Sequence, residues 1–183
     1  FGTLRYSPEQ IESYMRLATE HGFDIACHAI GDEANAIVLD CAERTHAHGS
    51  IEHAQMLKER DIPRLARLGL AASVQPQHAM DDRDVIARFW GTPAGIPYAF
   101  NSLHKAGTKL LMGSDAPVAP LDPWLAISAA VFGTESSDRE PFQPEQCLDF
   151  ETALASSTAV GRVALRDADA ADLVLLDCDP SII

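Results

Sequence analysis

The sequence has few basic residues and lacks long apolar runs. Its 183 residues include 14 lysines and arginines against 27 aspartates and glutamates, which gives a net charge of −13. Nucleic acids and anionic lipids are bound by basic surfaces, so neither is expected as a partner. The apolar stretches, such as residues 125–132, are too short to span a bilayer, and the start shows no signal-peptide pattern. We therefore predict a cytoplasmic protein.

Short motifs that identify a site by themselves are also absent. The sequence contains no HExxH, no CxxC pair, no Walker A loop and no GxGxxG after its first predicted strand. A nucleotide-binding open sheet is accordingly disfavoured. The four cysteines (Cys27, Cys41, Cys147 and Cys178) are scattered through a domain large enough to fold without disulfides. Reduced thiols are the expected state.

What the sequence does contain is a regular succession of strand and helix patterns. Strands are predicted at 24–30, 51–55, 70–75 and 109–113, and a last one at 171–177. Helix starts are predicted at Ser7-Pro8, Asp32, Asp61, Pro97, Asp122-Pro123 and Asp149, the last helix running to about Val160. Residues 79–96 are expected to form a long functional loop with a short helix in it.

The succession predicts a parallel sheet with right-handed crossovers. A closed (β/α)₈ barrel typically takes about 250 residues. The chain therefore predicts either half of such a barrel or an open doubly wound sheet.

Polar side chains stand at the carboxyl ends of three predicted strands: His28, His53 and Asp115. Catalytic groups of parallel α/β folds lie at such ends, and two imidazoles with one carboxylate suit a divalent cation such as Zn²⁺. Alternation along the second strand puts His53 on the site face and turns Glu52 away from it. The structural alternative stays open, because a lone histidine is more often a hydrogen-bonded core residue and an aspartate after Gly-Ser more often a turn or cap.

Four motifs, in order and spacing, resemble the second half of the metal-dependent amidohydrolase superfamily, in its amidohydrolase 3 branch, which includes N-substituted formamide deformylases. The motifs are His28-Ala-Ile-Gly-Asp32, Ile51-Glu-His-Ala-Gln55, Ser73-Val-Gln-Pro76 with His78, and Gly113-Ser-Asp-Ala-Pro117. The resemblance implies the C-terminal half of a TIM (β/α)₈ barrel over residues 1–166. It implies a remnant of a small β-sandwich domain over residues 167–183.

The resemblance also implies roles for individual residues. His28 and His53 would be metal ligands from the fifth and sixth barrel strands, and Asp115 would be both the eighth-strand ligand and the catalytic acid–base. His78 would bind the substrate carbonyl. The implied reaction is hydrolysis of non-peptide carbon–nitrogen bonds in small amide-type substrates, with a divalent metal, zinc being favoured. Ester or phosphoester hydrolysis and decarboxylation remain alternatives, since the superfamily performs them with the same ligands.

The chain departs from the family pattern ahead of His28. That family takes an HxH pair from its first strand and a lysine or glutamate from its fourth. No HxH strand precedes His28, and no fourth-strand lysine or glutamate precedes Pro8. His46-Ala-His48 lies in the turn before the His53 strand, which is the wrong place. We therefore expect a fragment of a longer enzyme, starting at Phe1, with weak or absent metal binding and no useful turnover by itself. Unpaired strand edges predict a homo-oligomer, and the non-enzymatic alternative is a half-barrel that only self-associates.

Overall fold

The computed structural model describes residues 3–90, 95–158, 161 and 172–182. The helices are α1 (Pro8–Glu20), α2 (Asp32–Thr45), α3 (Ile62–Leu68), α4 (Pro76–Val85), α5 (Phe100–Lys105), α6 (Pro123–Phe132) and α7 (Phe150–Ser156). The strands are β1 (Ile25–Ala29), β2 (Gly49–His53), β3 (Met56–Leu57), β4 (Leu70–Val74), β5 (Ile96–Pro97) and β6 (Leu110–Met112). One π-helical segment, Ile86–Trp90, continues α4.

Four of the strands form one parallel sheet in the order β1-β2-β4-β6. Each new strand joins the same side of the sheet, whereas a doubly wound sheet reverses its order at a switch point. The architecture is therefore that of part of a (β/α)₈ barrel, as predicted. The two-residue strands β3 and β5 pair antiparallel in a separate ribbon that follows β2.

Local sequence signals place several helix starts correctly. The Ser7 hydroxyl accepts from the amide of Gln10 at 3.3 Å and the Gln10 side chain accepts from the amide of Ser7 at 2.9 Å, which is the predicted capping box. Asp122 and Asp149 also cap their helices through their side chains, as predicted. Asp32 differs slightly, because Gly31 is the N-cap and Asp32 is the first helical residue.

The two faces of the parallel sheet have different environments. In-register neighbours share a face, so Cys27, Ile51 and Ala72 point together toward the core under the helices. The opposite face, which is the interior side in a closed barrel, carries residues that are exposed or half-buried: Ala26, His28, Ser50, Glu52 and Ser73. The polar side chains of the chain's strand ends therefore gather on an open face of the sheet.

The segment predicted as a long loop is instead mostly helical. Helix α4 begins directly after β4, with Pro76 at a first-turn position where a missing amide hydrogen costs nothing. Its many charges are those of a solvated helix face. The helix predicted from Pro97 to Lys105 is present as α5 but begins later, at Phe100, because Ile96–Pro97 pairs as strand β5.

The predicted last strand is not observed. Residues 172–177 are described, and they pair with no strand of the described chain. Val174 and Leu175 are 87% and 97% exposed, and a strand forms only where a neighbour satisfies its backbone groups. The predicted boundary at 166/167 lies outside the described residues, as does the predicted end of the last helix at Val160, the described part of α7 ending at Ser156.

All four cysteines are free in the structure, so reduced thiols stay the expectation. Within the described ranges, no helix has both the length and the apolar character needed to cross a membrane.

Candidate metal centre

His28 lies near the carboxyl end of β1 and projects from the open face of the sheet. Its register partner on β2 is Glu52, so these two side chains lie side by side on that face. The prediction that Glu52 points away from the site was wrong, because it assumed that β2 stays extended through His53.

The backbone bends at the end of β2. His53 has φ = 74° and Ala54 has φ = 44°, both in the left-handed region, which costs a non-glycine residue roughly 1–2 kcal/mol. In register His53 pairs with the buried Ala29, so strict alternation would direct it to the core side. The bend brings the His53 ring against His28 instead, with 4.5 Å between ring centroids and an interplanar angle of 71°.

His78 comes to the same place from a helix. It is the third residue of α4, and its ring stacks on His53 with 5.9 Å between centroids and an interplanar angle of 18°. The Nε2 atom of His78 and the Nδ1 atom of His53 are buried and find no hydrogen-bond partner in the described part of the chain. Buried polar atoms are usually satisfied, so these two nitrogens are available to bind a ligand.

Asp115 completes the cluster from the segment after β6. It is exposed and has φ = 57°, in the left-handed region that aspartate tolerates better than most residues. One ligand atom from each of His53, His78 and Asp115 lies within 4.8 Å of the others. Two imidazole nitrogens and one carboxylate oxygen fit a divalent metal.

The cluster differs from the predicted ligand set in one member. His78, expected on a loop as a substrate-binding residue, stands in the group of three, whereas His28 lies beside the group, in ring contact with His53. Partial desolvation and the neighbouring His53 lower the pKa of His28, with a smaller opposing effect of the Asp115 and Glu52 carboxylates. The ring of His28 is thereby biased toward its neutral form, which can donate one hydrogen bond and accept another.

Buried polar contacts brace the ends of these strands. The side-chain amide of Asn35, on α2, lies 3.2 Å from the carbonyl oxygen of Ala29 and 3.0 Å from that of Met56. It thereby ties the end of β1 to the segment after β2. Sequence reasoning missed Asn35, because nothing local distinguishes it from a surface asparagine of a helix.

A second brace was also missed. The Asp82 carboxylate accepts hydrogen bonds from the side chains of Gln55 and Tyr98 at 2.5 and 2.6 Å. The four-residue spacing between His78 and Asp82 would have indicated a shared helix face, had residues 76–85 been assigned to a helix.

A family profile and two known proteins match most of this chain. The profile of the amidohydrolase family matches residues 1–182. The protein LONG AFTER FAR-RED 3 of Arabidopsis thaliana is 33% identical over 177 residues, which cover 91% of this chain and 30% of that protein. N-substituted formamide deformylase of Arthrobacter pascens is 25% identical over 200 residues, covering 98% of this chain and 36% of that enzyme.

A solved structure extends the comparison to the fold. An uncharacterized metal-dependent hydrolase from Pyrococcus furiosus superposes with a TM-score of 0.76 at 31% identity, covering 87% of this chain and 33% of that one. The chain thus spans about a third of the length of these relatives. The family profile thus matches nearly every residue. The partial barrel and the cluster of His53, His78 and Asp115 agree with that match. The chain belongs to the amidohydrolase family.

Proposed function

We propose that this chain contributes to the active site of a metal-dependent hydrolase that cleaves non-peptide carbon–nitrogen bonds of small amides. The observation that carries the proposal is the cluster of His53, His78 and Asp115, with two buried ring nitrogens that lack partners among the described residues. The name of the formamide deformylase supports the choice of reaction, and that of the Pyrococcus furiosus metal-dependent hydrolase supports the use of a metal.

The three side chains would hold the ion, and zinc is the metal we propose. Three protein ligands that leave one position open are the arrangement of catalytic zinc sites. Bound there, the ion would polarise a substrate carbonyl and lower the pKa of water, to about 7 in favourable cases. His78 is proposed as a ligand rather than as a substrate-binding residue, because its buried Nε2 has no other described partner.

Asp115 is the proposed acid–base. Its carboxylate is exposed on the open side of the cluster, where water and substrate can reach it. It would accept a proton from the attacking water and deliver that proton to the leaving amine nitrogen. The two transfers leave Asp115 unchanged at the end of the reaction.

His28 is the proposed contact to the substrate carbonyl or a further ligand. Its ring lies beside His53 on the open face, and its lowered pKa favours the neutral imidazole, which can donate one N–H to a carbonyl oxygen. The adjacent Glu52 carboxylate, on the same face, can orient that ring.

A cobalt titration tests the ligand assignment. Co²⁺ added to the metal-free chain should develop visible absorption that zinc abolishes by competition. Affinity should be modest, because the HxH pair of the family's first strand and the lysine or glutamate of its fourth have no counterpart ahead of His28. His78→Ala should weaken binding more than His28→Ala, and His104→Ala, at an exposed helix position, should leave it unchanged. Equal affinity of wild type and His78→Ala would contradict the assignment.

The bond specificity needs its own measurement. With zinc present, a small N-substituted formamide should shift the imidazole NMR signals of His28, whereas a carboxylic ester and a phosphodiester of similar size should shift them less. A stronger response to the phosphodiester would favour the phosphoester alternative over carbon–nitrogen chemistry.

A further inference from the structure

Asp82 lies on the same helix as His78 of the candidate metal centre. It lies four residues after His78, so the two side chains share one face of α4, about one helical turn apart. It is half-buried, and in the described part of the chain it forms no ion pair. A carboxylate placed there must be held by neutral donors.

Two neutral donors reach the same carboxylate oxygen. Gln55 Nε2 donates to Oδ2 of Asp82 at 2.5 Å, and the Tyr98 hydroxyl donates to that oxygen at 2.6 Å. Both donors are buried, Gln55 being 6% and Tyr98 4% exposed. Hydrogen bonds to a charged acceptor are stronger than those between neutral groups, so this contact holds its partners firmly.

The donors connect Asp82 to the backbone that carries His53. Gln55 is two residues past His53, and its carbonyl oxygen accepts from the Tyr98 amide at 2.7 Å. Tyr98 has φ = 51°, a left-handed conformation that these two hydrogen bonds stabilise. Burial and the bond to Asp82 raise the pKa of Tyr98, so its hydroxyl remains a donor throughout the neutral range.

The other polar contacts of α4 point away from this region. Gln77 donates to Glu135 at 2.8 Å, and Asp84 pairs with Arg139 at 2.9 Å, both at the surface. These contacts fasten the helix to the segment after α6. Of the polar side-chain contacts described for α4, those of Asp82 join it to the chain that follows His53.

We propose that Asp82 is a positioning residue that fixes His78 against His53 through Gln55 and Tyr98. The inference rests on the proposed function for its purpose, since the two rings it aligns are the proposed ligands. Asp82 itself would contact neither metal nor substrate. Its role would be to keep the two ring nitrogens converging before an ion arrives.

The hydrogen bonds to Asp82 can be tested by comparing two substitutions at this position. Because one oxygen of Asp82 accepts both hydrogen bonds, the carbonyl oxygen of an asparagine can replace it. Asp82→Asn should therefore preserve the alignment, whereas Asp82→Ala should lose it. Asp81→Asn, one residue earlier and exposed, removes the same charge without touching the contact and serves as the control.

Two readouts on the 183-residue chain test the proposal. In the metal-free protein, the ring-proton NMR signals of His53 and His78 should shift in Asp82→Ala, through loss of ring stacking, and stay unchanged in Asp82→Asn and Asp81→Asn. In Co²⁺ titrations, Asp82→Ala should lose about 10–100-fold in affinity, the range for residues that orient ligands, while the other two variants keep the wild-type value. Tyr98→Phe should produce a partial loss, with little additional loss in the Asp82→Ala background.

The outcomes distinguish the positioning role of Asp82 from the proposed metal centre. Equal losses of Co²⁺ affinity in Asp82→Asn and Asp82→Ala would overturn the positioning role and assign the effect to the charge of Asp82. Unchanged ring signals in folded Asp82→Ala would also overturn it. Should Asp82→Ala fail to fold, unchanged ring signals in Tyr98→Phe and Gln55→Met would overturn it instead. Absence of Co²⁺ binding by wild type, with ring signals that respond as expected, would overturn metal binding by this chain alone and support the alignment by Asp82.

Discussion

His53 and His78 come from different elements, yet their imidazole rings stack at 5.9 Å with an interplanar angle of 18°, and each ring has a buried nitrogen without a described partner. One ring is brought there by a left-handed turn at the end of β2 and the other by the first turn of α4. A pair of rings held in this way by backbone geometry is poised to bind a shared cation.

The first prediction concerns the start of β2. Gly49 has φ = 132°, and a Cβ at this position would lie 2.0 Å from the carbonyl oxygen of Ile25 on the adjacent strand. Gly49→Ala should therefore push β2 away from β1 and lower the free energy of unfolding by more than about 1 kcal/mol. Denaturant unfolding followed by circular dichroism measures the loss. Gly31→Ala is the matched control, because its added Cβ meets nothing within 4 Å, and an equal loss in both variants would refute the steric explanation.

The second prediction concerns the sequence His46-Ala-His48, which lies outside the cluster of His53, His78 and Asp115. His46 ends α2 with φ = 54° and is exposed. His46→Gly should raise the stability by roughly 1 kcal/mol, since glycine adopts the left-handed conformation without steric cost. Thermal denaturation measures this gain. Co²⁺ affinity should not change in His46→Gly or in His48→Ala, and a loss in either variant would show that this pair takes part in metal binding after all.

The third prediction concerns thiol reactivity. Cys178 is exposed, whereas burial raises the pKa of Cys27, Cys41 and Cys147. A raised pKa leaves less thiolate at pH 8, and the thiolate is the reactive form. One thiol per chain should thus react rapidly with Ellman's reagent and three slowly. The fast phase should disappear in Cys178→Ser, and its persistence would contradict the assignment.

The fourth prediction concerns self-association. The strands β1 and β6 are the edges of the described sheet, and exposed apolar side chains occur in the chain before β1 (Tyr14, Leu17 and Phe23) and after β6 (Leu121 and Phe132). Open edges and apolar patches favour association, so light scattering should detect a dimer or larger assembly at micromolar concentration.

A charge placed among these exposed apolar side chains tests whether they cause the self-association. Leu17→Glu, at a side chain that is 55% exposed, should shift the distribution toward monomer. Glu20→Lys, on an exposed position of the same helix, should leave it unchanged. A stable wild-type monomer would remove the basis for the homo-oligomer prediction.

The sequence alone was sufficient for the four strands of the parallel sheet and for most of the helix starts. The capping box at Ser7 and the aspartate caps at Asp122 and Asp149 depend on residues three or fewer positions apart, so local chemistry determined them. The apolar runs similarly specified four strands, and their regular separation by helices specified a parallel sheet. The segment 172–177 shows the limit, because an apolar run becomes a strand only where another strand pairs with it.

The site was determined by contacts that no local pattern encodes. Alternation along β2 placed His53 near His28 correctly but for a wrong reason, since the rule assumes an extended backbone and His53 is left-handed. The same assumption turned Glu52 away from its register partner His28. The sequence by itself thus determined which residue types stand at the strand ends. Only the tertiary structure decided that His78 joins His53 and Asp115, because that grouping depends on a backbone bend, a helix start and buried hydrogen bonds between segments distant in the chain.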